Sequence, residues 1–262
     1  MNWINKAFEQ SAHEWNLSYN VAWLLFWMPV LTSVLIVFSA LQRNLFRFLL
    51  AEDGPIEWAT FAGFIIAMLL GIAISNAFLK TSNRGYAWFF GVFSIAMLFC
   101  AGEELSWGQR IFDLPTPEPL RIPGVQDEIV FHNIGGKFGI FNMALLLVEL
   151  VAGLAYFLKR RVTQGRKDTH VNYLFPPLCL SSSFAIALIY KVLQLTIWQD
   201  TATVEYVIRK YAEWTELCLA FGLVMFAWLV LRQLRISVAS RQVETRSRVI
   251  DWSKRASLHN GD

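Results

Sequence analysis

The chain has 262 residues, 55% of them hydrophobic and 16% charged, with a formal net charge of +3. A water-soluble domain carries about 25% charged residues, so this chain lacks the charge to coat a water-facing surface and reads as an all-α polytopic membrane protein. Apolar blocks of roughly 20 residues recur along almost the whole length and leave no room for a separate soluble catalytic domain.

In chain order, Trp3, Ile4, Ala7, Phe8, Ala12 and Trp15 recur at helical spacing among polar residues. This predicts a short interfacial helix within an N-terminal cytoplasmic segment, 1–20. No cleavable signal peptide is expected, because Lys6 is followed by polar sequence and the first apolar block is too long for a signal-peptide core. Six transmembrane helices are predicted at 21–42, 56–79, 86–106, 138–158, 173–198 and 211–231, each long enough to cross a hydrocarbon core of ~30 Å. Their apolar runs are continuous and not alternating, which selects helices over barrel strands. Pro29 in the first span and the Pro176, Pro177 pair early in the fifth predict kinks. Gly63 and Gly71 in the second predict close helix contacts. Cys100, Cys179 and Cys218 fall inside apolar blocks without metal-ligand spacing and read as small buried side chains. The six-helix domain, 21–231, includes an outer loop at about 107–137. A polar, basic cytoplasmic tail follows at 232–262, solvated or touching lipid headgroups, with no nucleic-acid partner expected.

Of the 23 Lys and Arg, 15 fall on the side of the two termini and seven on the other. By the positive-inside rule both termini are expected to be cytoplasmic. The acids sort the other way, with 13 of 20 Asp and Glu on the outer side. Acids contribute little to orientation, so this enrichment calls for its own explanation.

The densest stretch is AGEELSWGQR at 101–110, where the third span reaches its outer end. On a continuous helix Glu103, Ser106, Trp107 and Arg110 share one face, which makes Arg110 a partner for Glu103; Glu104, about 100° around the helix, meets a different neighbour. The second span opens with EDGPIEW at 52–58, containing Glu57, and the sixth with Glu213 and Glu216, three residues apart on one face. Between spans three and four, a loop with Pro115, Pro117, Pro119 and Pro123 leads to His132 and Asn133 and predicts an ordered lid. Carboxylates with a histidine can bind a divalent metal or work as a general acid–base pair. The expected ligands are Glu57, Glu103, Glu104, His132 and Glu216. Glu103, Glu104 and His132 are the expected proton-transfer groups; Arg110 orients a carboxylate or a substrate phosphate, and Gln109 supplies hydrogen bonds. The competing reading makes Glu103 and Arg110 a structural ion pair, Glu52, Asp53 and Glu213 solvated helix-start charges favoured by the dipole, and His132 an ordinary loop donor. Within the bilayer, Glu149 and Lys191 differ in depth by roughly 6 Å, a gap that a long lysine spans. The alternatives for Lys191 are pairing with Glu149 or snorkelling to the headgroups.

The runs at 52–58 and 103–110 and the later His132 and Asn133 resemble the signature of a family of uncharacterised bacterial polytopic membrane proteins. The similarity covers roughly residues 52 to 133. It implies residence in a bacterial inner membrane and a shared site, and it implies no reaction. The leading functional expectation is a hydrolase or transferase acting at the outer membrane face on a lipid or lipid-linked substrate. An ion-coupled transporter and a non-catalytic assembly or scaffold protein are the alternatives.

Overall fold

The computed structural model describes residues 3–81, 83–112, 114–118, 139–163, 171–196 and 202–259; the side chains of Arg110, 195–196, 202–205, Val207 and 240–259 lie outside that description. Among these residues every regular element is helical: α1 (Trp3–Glu14), α2 (Tyr19–Ser39), α3 (Arg43–Leu49), α4 (Pro55–Lys80), α5 (Arg84–Glu104), α6 (Gln109–Phe112), α7 (Ile140–Gly153), α8 (Ala155–Thr163), α9 (Ser181–Thr196) and α10 (Ala202–His259). Among the described residues five segments are long and apolar enough to cross a membrane, and six if the bent pair α7 and α8 counts as one.

Small residues set how the helices meet. A Cβ built on Gly71 of α4 would stand 2.4 Å from Ser94 Oγ of α5, and one on Gly63 would stand 3.1 Å from Ala220 Cβ of α10. In lipid, close backbone approach of this kind is what holds helices together, because no water is expelled between apolar surfaces. α4 therefore lies between α5 and α10, while α9 packs against α2, α7 and α10. Ile74, Phe90, Phe184, Ala220, Leu229 and Val230 are wholly buried at these contacts. The outward side chains, such as Leu35, Leu69, Val92 and Ile95, are large and apolar, a surface suited to hydrocarbon and not to water.

The described helices depart from the predicted spans in three places. The fourth breaks at Leu154, where α7 and α8 meet at 65°. Its 14-residue first half covers only ~21 Å at 1.5 Å per residue, short of a full crossing. Past the break the chain turns basic, and Lys159 of α8 pairs with Glu14 of α1, so α8 is held at the end of the bundle. In the fifth, helix α9 begins only at Ser181. Pro176 and Pro177 cannot continue a helical ladder, so 171–180 forms two short 3-10 turns instead. In the sixth, α10 runs on to His259 with no Pro or Gly between Gly222 and its end to stop it.

At Pro29 α2 stays helical. Ser182 Oγ of α9 donates to Phe26 O, one turn earlier, at 2.7 Å, which is how a neighbouring helix satisfies backbone loosened by a proline. The N-terminal helix forms as predicted, but its apolar face is buried against protein. Ala7, Phe8 and Ala12 are buried, and Phe8 stacks on Trp23 at 4.4 Å.

Candidate functional site

Three carboxylates from three helices converge at one end of the bundle. One oxygen each from Glu57 (α4), Glu104 (α5) and Glu213 (α10) lies within 4.8 Å of the other two, with Glu57 buried and the others half-buried. Each side chain has a local reason for its position. Glu57 is the third helical residue of α4 after Gly54 and Pro55, and it accepts a hydrogen bond from the Asp53 backbone N–H. That reach back across the helix start is a variant of the capping box, and it fixes the side chain where the dipole favours negative charge. Asp53 takes a left-handed conformation, φ 60°, to make the turn.

Glu104 is the last residue of α5. Beyond it Ser106, Trp107 and Gly108 have φ of 48°, 56° and 84°. A left-handed run with two non-glycine residues ends the helix, so the shared face expected of Glu103, Ser106, Trp107 and Arg110 does not extend past Glu104. The Trp107 indole folds back instead: its ring lies where a Cβ on Gly102 would sit, 2.9 Å away, and Nε1 donates to Glu103 Oε1 at 2.7 Å. Glu103, 4% exposed, accepts from Trp107 and is not one of the three carboxylates of the triplet that its neighbour joins.

Glu213 is set by a small apolar cluster under this end. Phe46 of α3, Leu50 and Ile56 pack with Tyr211, Trp214 and Leu217 of α10, and Trp214 Nε1 donates to Ser33 Oγ of α2 at 2.7 Å. At the rim, Lys210 pairs with Glu52 at 3.2 Å. The charges of Glu216, Glu57, Lys210 and Glu52 all act on Glu213.

Of the expected ligands, Glu57 and Glu104 come together. Glu103 is held by Trp107. Glu216 lies outside the triplet one turn along α10, and Glu213 stands in the place expected for it. His132 and the 119–138 part of the loop lie outside the described residues. Gln109 is buried and donates to Thr116 Oγ1 at 3.0 Å and Leu114 O at 3.3 Å, which makes it an anchor for the loop's first residues. Lys191 Nζ donates to Asn142 Oδ1 at 3.0 Å; Glu149 is 4% exposed and its Oε2 has no hydrogen-bond partner among the described residues. The Glu149 carboxylate feels the charges of both Lys191 and Glu216.

The geometry of the triplet suits a cation. Three carboxylate oxygens within 4.8 Å of one another are close enough to be drawn onto one cation. An all-carboxylate donor set matches a hard ion such as Mg²⁺, Mn²⁺ or Ca²⁺ and not a thiophilic one. The chain matches no protein-family model, no curated protein and no solved structure.

Proposed function

We propose that this is a bacterial inner-membrane enzyme, with both termini cytoplasmic, that uses a divalent cation at the outer membrane face to hydrolyse or transfer a group of a lipid or lipid-linked substrate. The observation that carries the reading is the convergence of Glu57, Glu104 and Glu213 from three helices within 4.8 Å. When bound, the cation supplies Lewis-acid polarisation of a substrate oxygen. Glu57, anchored by the Asp53 N–H, and Glu104, at the α5 terminus, are the fixed ligands. Glu213 closes the set from α10. Glu216, one turn away on the same helix, serves as the base that accepts a proton from the attacking water or alcohol. The exposed faces of Trp58 and Trp107 at this end support a site at headgroup depth, within reach of a lipid-borne phosphate.

The test is a Mn²⁺ titration of the chelator-stripped, detergent-purified protein by electron paramagnetic resonance. One saturable site is expected. Glu104→Gln and Glu213→Gln should each weaken it at least tenfold, with unchanged circular dichroism and elution volume. Wild-type protein without a saturable site would remove the reading.

Ion-coupled transport is favoured by one specific feature, the buried Glu149 carboxylate with its unpartnered Oε2, set in the α7 span. Intramembrane acids of this kind mark ion and proton pathways. Glu149→Gln separates the two readings in proteoliposomes. Under the transport reading it abolishes cation or proton flux; under the enzyme reading there is no flux to lose.

A further inference from the structure

At the end of the bundle opposite the carboxylates, a groove of about 350 Å³ opens between the end of α4, the 171–173 turn and α10. Its floor is apolar, formed by Phe78, Leu231 and Leu234, and its rim is polar, formed by Asn83, Arg235 and Ser237. Arg235 is exposed and makes no hydrogen bond or ion pair among the described residues. Arg232, one turn earlier, is by contrast committed: it donates to Asn16 O at 3.0 Å and lies over the Trp228 ring. Lys80 and Arg84 stand at the same end, in the last turn of α4 and the first of α5.

A free guanidinium beside an apolar furrow asks for a ligand with two parts, a negative head and a hydrocarbon tail. An inorganic anion would leave the floor uncovered, and a plain hydrocarbon would leave the charge unanswered. The volume is that of a small-ligand cleft, enough for a headgroup, its glycerol and the start of one chain, with the rest lying in the bilayer. A zwitterionic headgroup brings its own cation close to Arg235, Lys80 and Arg84. Basic pockets between spanning helices select net-negative lipids for this reason.

We propose that this groove binds an anionic phospholipid, its phosphate on Arg235 and one acyl chain along Phe78, Leu231 and Leu234.

The test compares phosphatidylglycerol and phosphatidylcholine of identical chains, bound to the full-length detergent-purified protein and read by native mass spectrometry. Wild type is expected to hold one phosphatidylglycerol at least fivefold more tightly than phosphatidylcholine, the scale of one basic residue at a membrane surface. Arg235→Gln should remove that preference and Arg235→Lys should keep most of it. Val238→Trp, which narrows the groove from its exposed rim, should release the lipid with Arg235 intact. Equal retention of the two lipids by wild type overturns the proposal without recourse to any variant. So does an Arg235→Gln protein that keeps the preference. Displacement of phosphatidylglycerol by inorganic phosphate at equal concentration would make this a free-anion site, and would also refute it.

Discussion

Gly71→Leu is expected to leave little or no assembled protein in the membrane. The position faces α5 so closely that even one added carbon would stand 2.4 Å from Ser94 Oγ, 2.8 Å from Phe93 Cδ1 and 3.3 Å from the Phe90 carbonyl oxygen. Ser94 Oγ is itself tied to Phe90 O at 2.8 Å and has little freedom to swing away. Replacing Gly by Ala gains about 1 kcal/mol of helix propensity. One extra carbon in a tight interface costs about 1–3 kcal/mol, so Gly71→Ala should be mildly destabilising. Leucine adds three more carbons with nowhere to go except between α4 and α5. Gly91→Ala is the control, because its Cβ would meet only Ser75 Oγ at 3.8 Å, an ordinary contact. That variant should match or exceed wild-type stability. Monodisperse yield by size exclusion and the thermal midpoint in detergent read both variants. Wild-type yield and midpoint for Gly71→Leu would show that this contact does not hold α4 to α5.

The second large effect is expected at Trp107. Its Nε1 donates to the buried Glu103 carboxylate, and its ring packs edge-on against Phe99 with centroids 5.2 Å apart. Losing a hydrogen bond to a charged group costs about 1.5–3 kcal/mol. Losing an aromatic pair adds about 0.5–1.5 kcal/mol. Ser106 and Trp107 both sit in the left-handed region at about 1–2 kcal/mol each, a conformation that persists only while surrounding contacts over-determine it. Trp107→Ala keeps that cost and removes what offsets it, so a loss of about 3 kcal/mol is expected in chemical unfolding. Trp107→Phe retains the ring and loses only the donor, and should fall near 2 kcal/mol. Equal stability of the two variants would place the effect in the hydrogen bond alone, and wild-type stability of Trp107→Phe would place it in packing.

Much of the fold was legible because a bilayer demands long apolar runs. The spans predicted at 21–42, 56–79 and 86–106 correspond to α2, α4 and α5 within a few residues at most ends. The fourth was harder: residues 138–158 are apolar apart from Asn142 and Glu149, and nothing in their hydropathy marks a 65° bend at Leu154. Past the bend the basic run meets another part of the chain, Lys159 pairing with Glu14 of α1, a tertiary contact that hydropathy does not carry. The acidic end was legible as a region, since Glu57, Glu104, Glu213 and Glu216 could all be placed at span ends by counting. Which of them meet was not. Helical periodicity assigned Glu103 to a face that runs through Trp107 to Arg110, and the left-handed turn after Glu104 dissolves that face. Likewise Glu213 and Glu216 share a face of α10, and only the depth of α10 against α4 decides which one reaches Glu57.

Helix α10 begins beside the carboxylate triplet and later lines the groove at Arg235. From Glu213 to Arg235 is 22 residues along one continuous helix, about 33 Å at 1.5 Å per residue. The hydrocarbon layer is about 30 Å thick. The two regions are therefore about one bilayer thickness apart along α10, so under the two proposals above they would face different leaflets. On those proposals, a lipid seated at Arg235 and a lipid presented to Glu57, Glu104 and Glu213 would be drawn from separate pools that exchange only by flip-flop.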